Sequence, residues 1–381
     1  MTTIKQLCAY LLLFMSLTIS AALSSDMDEG FVSLFNGENL DGWVIENGDQ
    51  STFIVDKGTI QSTGKTGPPA WLRSEKTYEN YDLRFEFLMK GWCSSGLYFN
   101  APLHGRQSKT GFEFQIYHDK KKDVKDYMCG AIFEALPPKV NAVASANQWN
   151  SGRIYLDWPI LKMWLNDQLV QDINVNDYPE LKYRLRRGYI GIQDVGYQAW
   201  FRNIRIKELA YKDEWISLFN GKDFDGWYEE GQGALWSVRD GVIHAEDSTS
   251  YMVTQDEFED FEFHCYVRTS PNANGGIFYR WKELKGGDRG NEVQIENVPD
   301  SPHPTGSLYN VVRAVQPRFR DEEWFLMQIL VKGSHIVIRV NGETTVDYDQ
   351  LSIVRPGHIA LQMHHHNKWV EWKDLKIKLI R

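Results

Sequence analysis

Cysteine is scarce in this chain, four among 381 residues. Cys8 lies in an N-terminal apolar run, which leaves Cys93, Cys129 and Cys265. An odd set gives no disulfide framework, although Cys93 and Cys129 fall in the same half and could pair. Cys265, in the alternating run F-E-F-H-C-Y-V, reads as a buried thiol. No Cys/His spacing matches a structural zinc site. Basic blocks are lacking as well. The net charge is −9 and interspersed, which argues against nucleic acid or an anionic membrane surface as partner. Beyond the N-terminus no apolar run is long enough to span a bilayer, and no long stretch has helical periodicity.

Aromatic residues are abundant, with 14 Trp and 18 Tyr. They fill β-sandwich cores and, where exposed, stack on sugar rings. The N-terminus has one charge, Lys5, an apolar run from Leu7 to Ile19, small Ser20, Ala21 and Ala22, then polar Ser24, Ser25 and Asp26. This is the order of a secretory signal over residues 1–25. It predicts a secreted or periplasmic protein with no integral membrane segment after cleavage.

The chain is written twice. F-V-S-L-F-N-G-E-N-L-D-G-W from Phe31 returns as W-I-S-L-F-N-G-K-D-F-D-G-W from Trp215. S-G-L-Y-F-N at 95–100 returns as G-G-I-F-Y-R at 275–280, and E-F-Q-I at 113–116 as E-V-Q-I at 292–295. W-L-N-D, Y-I-G-I-Q and F-R-N-I-R-I in the first half match R-V-N-G, H-I-A-L-Q and W-K-D-L-K-I in the second, in the same order. Repeated order across six blocks marks a tandem domain duplication. The expected domains are 26–209 and 214–381, as the length also favours about two cores. The join near 208–214 is short and charged, without a Pro/Gly spacer, so the two domains are expected to pack together.

Each copy reads as β. Y-D-L-R-F-E-F-L-M, D-F-E-F-H-C-Y-V and H-I-V-I-R-V alternate in period two, separated by N-G, D-G and G-G. W-L-N-D-Q-L-V and R-V-N-G-E-T-T-V read as hairpins around tight turns. Many short strands per copy predict an all-β protein of two antiparallel sandwiches or jelly rolls.

The block order resembles the 3-keto-disaccharide hydrolase family, in both copies and from about residue 31 to the C-terminus. Asn147, Trp149, Asn150 and the Pro pair at 137–138 add to the match in the first copy. The resemblance implies a concanavalin-like jelly roll and cleavage of glycosides already oxidised to a 3-ketone. The ketone acidifies the C2 proton, so a base can remove it, the C1 leaving group departs by elimination, and water adds to the enone. Such a route needs a base, a group to hold the enolate oxygen, and optionally a divalent metal as Lewis acid. It does not need the paired carboxylates of ordinary glycosidases.

In R-G-N-E-V-Q-I-E-N, Glu292, Gln294 and Glu296 share one strand face. That row either faces bulk water or floors a groove. Glu113 and Gln115 repeat it in the first copy, with Tyr117 opposite Glu296, and the resemblance implies a sugar-facing sheet for E-x-Q. In L-Q-M-H-H-H-N, Gln362, His364 and His366 alternate onto one face if the strand continues, and imidazole serves as base or ligand. The resemblance aligns His364 with the family's Gln-x-His; the first copy has Val195 there. It also aligns Arg280 with a family arginine, where the first copy has Asn100. Glu292, His364 and Arg280 are therefore the catalytic candidates, with Gln294, Glu296 and Gln362 as sugar contacts. Glu292, His364 and His366 are the metal candidates. Glu113, Gln115, His118, Asp119, Gln193 and Asp194 form a second polar set, read as a weaker catalyst, a glycan contact or a stabiliser of the pair. A non-catalytic glycan-binding or adhesion module is the alternative reading.

Overall fold

The computed structural model describes residues 29–65, 69–118, 125–211, 214–231, 233–298, 300–315 and 319–380. The expected signal segment and Asp119 lie outside them. Among these residues the regular structure is almost all strand, with one short α-helix at Gln107–Thr110 and a 3-10 turn at Val175–Asp177, and no helix is long and apolar enough to cross a membrane.

Strands assemble into four antiparallel sheets, two per copy. In the first copy a five-stranded sheet runs Trp43–Glu46, Ala70–Tyr78, Gly188–Asp194, Ser94–Ala101, Phe112–Tyr117. In the second the order is Trp227–Gly231, Ser250–Thr254, His358–Met363, Asn274–Trp281, Asn291–Glu296. The topology is identical. An eight-stranded sheet backs each one, giving two β-sandwiches.

Period-two patterning explains which face is which. In Phe261–Thr269, Phe263, Cys265 and Val267 enter the second core, while Glu262, Tyr266 and Arg268 alternate away from it. In Asn291–Glu296, Val293 and Ile295 point into the same core, so Glu292, Gln294 and Glu296 take the outer face. The hairpins turn where the sequence placed them. Asn166 and Asp167 have φ 49° and 61°, and Asn341 and Gly342 have 48° and 80°, the left-handed pair of a type I′ turn.

Cys93, Cys129 and Cys265 are all buried free thiols, which corrects the possible Cys93–Cys129 pair. Cys93 instead places its sulfur 3.4 Å from the Gln198 carbonyl.

Candidate functional site

A cleft of about 750 Å³ opens on the outer face of the second five-stranded sheet, a size suited to a small ligand. Its floor carries Glu292, Gln294, Glu296, Gln362 and His364, all five from the sequence candidates. Pro302, His303, Leu308, Tyr309 and Asn310 line one wall, and Ser352 and Ile353 also border it.

Register brings these groups together. Gly276 pairs with both Gln294 and Gln362, and Phe278 with Glu292, so three neighbouring strands contribute adjacent side chains. Glu292 leans across Gly276: a β-carbon there would lie 2.5 Å from Glu292 Oε1. With its amide oriented to donate, Gln294 hydrogen-bonds Glu292 Oε1 at 2.9 Å and the Gly275 carbonyl at 3.2 Å. Burial pushes Glu292 up to about 8, opposed by the Arg289 guanidinium and assisted by Glu296. His364 moves the other way. Partial burial and neighbouring His365 lower its pKa, against the pull of Glu296.

The other floor residues are tethered. Asn274 donates to Glu296 Oε1 at 2.9 Å, and Ser301 bonds its second oxygen. Gln362 donates to the Tyr251 hydroxyl at 3.1 Å.

Arg280 requires a correction. A register shift between Phe278 and Trp281 breaks the alternation, and Arg280 sits in the left-handed region at φ 57°. Its side chain is fully buried. It donates to the carbonyls of Ile353, Glu259 and Gly333 and to Asp260 Oδ1, tying strand to loops rather than facing the cleft. Asn100 does the same in the first copy: φ 47°, with bonds to the Leu185 and Arg186 carbonyls and from the Tyr81 hydroxyl. The arginine that does line the cleft is Arg289.

The first copy keeps the floor and loses the opening. A β-carbon on Gly96 would meet Glu113 Oε1 at 2.0 Å, so Glu113 lies across Gly96 as Glu292 lies across Gly276. Gln115 and Gln294 are equally buried, but Glu113 is 1% exposed where Glu292 is only partly buried. Neither Glu113 oxygen has a partner, nor has Gln115 Oε1, and burial drives the Glu113 pKa well upward. Gln193 donates to the Tyr98 hydroxyl at 2.6 Å. Asp194, also corrected, turns off the sugar face and accepts from the backbone N–H groups of Gly64 (3.1 Å) and Gly196 (2.8 Å).

Among the described residues no group of three or more His, Cys, Asp and Glu side chains could hold a metal ion. Of the three metal candidates, Glu292 and His364 line the cleft, whereas exposed His366 is bonded to Asp247 at 3.0 Å.

Sequence reasoning missed Arg289, Asn291, His303 and Tyr309. Asn291 lines the cleft and its buried Nδ2 has no acceptor. The wall itself is a seventh repeat block. Gly306-Ser307-Leu308-Tyr309-Asn310 lies along the Glu292 strand as Gly130-Ala131-Ile132-Phe133-Glu134 lies along the Glu113 strand, with Gly306 N–H bonding Gln294 O (2.9 Å) and Gly130 N–H bonding Gln115 O (2.9 Å).

Comparison with known proteins agrees with the duplication. The 3-keto-alpha-glucoside-1,2-lyase-like domain matches residues 30–207 and again 214–378. A 3-keto-disaccharide hydrolase of Bacteroides thetaiotaomicron is 26% identical over 170 residues, covering 36% of this chain and 59% of its own length. A proposed glycosyl hydrolase from Parabacteroides distasonis aligns over 49% of this chain and 97% of its own, with TM-score 0.42 and 21% identity. The carbohydrate-binding module CBM66 of Bacillus subtilis aligns over 44% and 96%, with TM-score 0.33 and 19% identity. With both halves matched, the chain belongs to the 3-keto-alpha-glucoside-1,2-lyase-like, or 3-keto-disaccharide hydrolase, domain family and carries that domain twice.

Proposed function

We propose that the second domain cleaves 3-keto-glycosides in the cleft that holds Glu292 and His364. The observation that carries this reading is that one cleft contains a carboxyl shifted up to about 8 and an imidazole shifted down. Titratable groups driven apart in this way assign themselves as acid and base. At neutral pH His364 is the neutral base and Glu292 the protonated acid. His364 takes the C2 proton of the 3-keto sugar, and the electrons pass into the enolate. The C1–O bond then breaks, the electrons reform the C3 carbonyl, and the departing oxygen takes its proton from Glu292. Water adds at C1 of the enone to complete hydrolysis; release of the enone before that step makes the outcome a lyase reaction. Asn291 Nδ2, a buried donor without an acceptor, and Arg289 suit the enolate oxygen. Gln294, Glu296 and Gln362 orient the ring.

The two domains act as one packed body in this proposal. Support comes from the Leu103 N–H bonding the Tyr266 hydroxyl at 2.8 Å, from Lys373 Nζ 2.9 Å from His104 Nε2, and from the His104 ring edge-on to Tyr266 at 5.2 Å. The N-terminal signal pattern supports action in the periplasm or outside the cell, on glycans oxidised there by another enzyme.

The test is turnover of a purified 3-keto-glucoside by the full chain. Glu292→Gln and His364→Ala are each expected to lower kcat by about 10²–10⁴-fold. Wild-type rates in both variants would remove the assignment.

A further inference from the structure

The first domain has a feature that the hydrolytic reading does not use. Its polar row is shut, but at the end of that row stands a group of aromatic rings. Trp92 is 62% and Tyr127 45% exposed. Both pack edge-on against Tyr117, with centroids 5.3 Å and 6.1 Å apart and planes at 76° and 80°. Tyr117 is the third member of Glu113-Gln115-Tyr117, and so the counterpart of Glu296 in the working row. In the second domain Asn272 and Glu296 stand where the first has Trp92 and Tyr117.

We infer that Trp92, Tyr117 and Tyr127 form a glycan-binding platform on the first domain, which holds a neutral pyranose chain by stacking. A contiguous group of exposed rings, unlike a single exposed side chain, marks a binding surface. The edge-to-face contacts fix both exposed rings, so little conformational entropy is lost when a flat ligand settles on them. The rings combine apolar faces with polar rims, which matches a pyranose that shows axial C–H groups on one face and hydroxyls at its edge. Charge is not the driving force, because the three side chains are neutral. This role is separate from hydrolysis: the platform would keep a polymer near the cleft of the second domain.

The experiment is calorimetric titration of the full chain with three glucose hexasaccharides, α-1,4-, β-1,4- and β-1,3-linked. Binding of at least one is expected. Trp92→Ala and Tyr127→Ala should each weaken it by about ten-fold, Trp92→Phe should retain most of it, and Glu292→Gln should leave it unchanged. Turnover of a small 3-keto-glucoside should be unaffected by Trp92→Ala, which separates this inference from the hydrolytic one. No binding of any hexasaccharide overturns the platform. So does binding that survives Trp92→Ala or disappears with Tyr309→Ala in the cleft.

Discussion

Glu292 lies over Gly276: a β-carbon there would come within 2.5 Å of its Oε1 and 3.1 Å of its Cγ. The contact is with the far end of a flexible side chain, so a methyl group would move the carboxyl rather than break the sheet. Gly276→Ala is therefore expected to fold, keeping its thermal midpoint within a few degrees. Its kcat on a 3-keto-glucoside should fall by about 10²-fold, since a misplacement of about 1 Å carries that penalty. A Gly276→Ala protein with full activity would show that the position of this carboxyl does not matter to the reaction.

Titration gives a second prediction. As the acid, Glu292 must be protonated, so kcat/KM should fall as pH rises through about 8. On the acidic side it should fall as His364 gains a proton, at a pH below the ordinary imidazole value of 6.5. Stability follows from the same carboxyl. Its native pKa is raised from 4.5 to about 8, so within that window the native state keeps a proton that the unfolded chain has released. The resulting stabilisation is full below 4.5, declines through the window and is gone above 8. Gln is a neutral stand-in for the protonated acid, so calorimetric scans of wild type and Glu292→Gln should show the wild type losing stability relative to the variant as pH rises through this range.

Arg280 gives a third prediction, and it concerns folding. The guanidinium is fully buried and serves the carbonyls of Ile353, Glu259 and Gly333 together with Asp260. Truncation orphans those acceptors and leaves a void. Arg280→Ala should cost about 3–5 kcal/mol of stability, read by denaturant unfolding, while kcat of the folded fraction stays within a few-fold of wild type. A catalytic arginine would reverse that pattern.

The same residue shows where sequence reading stops. Period two placed Glu292, Gln294 and Glu296 on one face because Val293 and Ile295 belong to the core, and the echo in Glu113 and Gln115 located the equivalent strand. Arg280 escapes that logic. One register shift between Phe278 and Trp281 rotates it off the expected face, and nothing in G-G-I-F-Y-R announces the bulge. The cleft wall was hidden for another reason. Gly306-Ser307-Leu308-Tyr309-Asn310 shares only its glycine with Gly130-Ala131-Ile132-Phe133-Glu134, so apolar pattern alone linked them. Arg289 was visible at the head of the strand, but an arginine in a loop has no periodicity that fixes its direction. The closure of the first copy was likewise unreadable, because Glu113 and Glu292 stand in nearly identical local sequence and differ in what covers them.

Glu113 offers the last prediction. Both of its oxygens are buried without a partner, so desolvation is uncompensated and the carboxyl stays protonated well above its ordinary 4.5. The sign is that of Glu292: stability is lost as pH climbs from 4.5 toward the raised native value. Replacing an unpaired buried acid by an apolar side chain of similar length removes the cost instead of adding one. Glu113→Met is thus expected to raise the thermal midpoint, with a larger gain at pH 8 than at pH 5, and to leave 3-keto-glucoside turnover untouched. A destabilised Glu113→Met protein would mean that this carboxyl has a polar partner in solution. A matching loss of turnover would mean that the first copy still does chemistry, and that the open cleft is not where the reaction is confined.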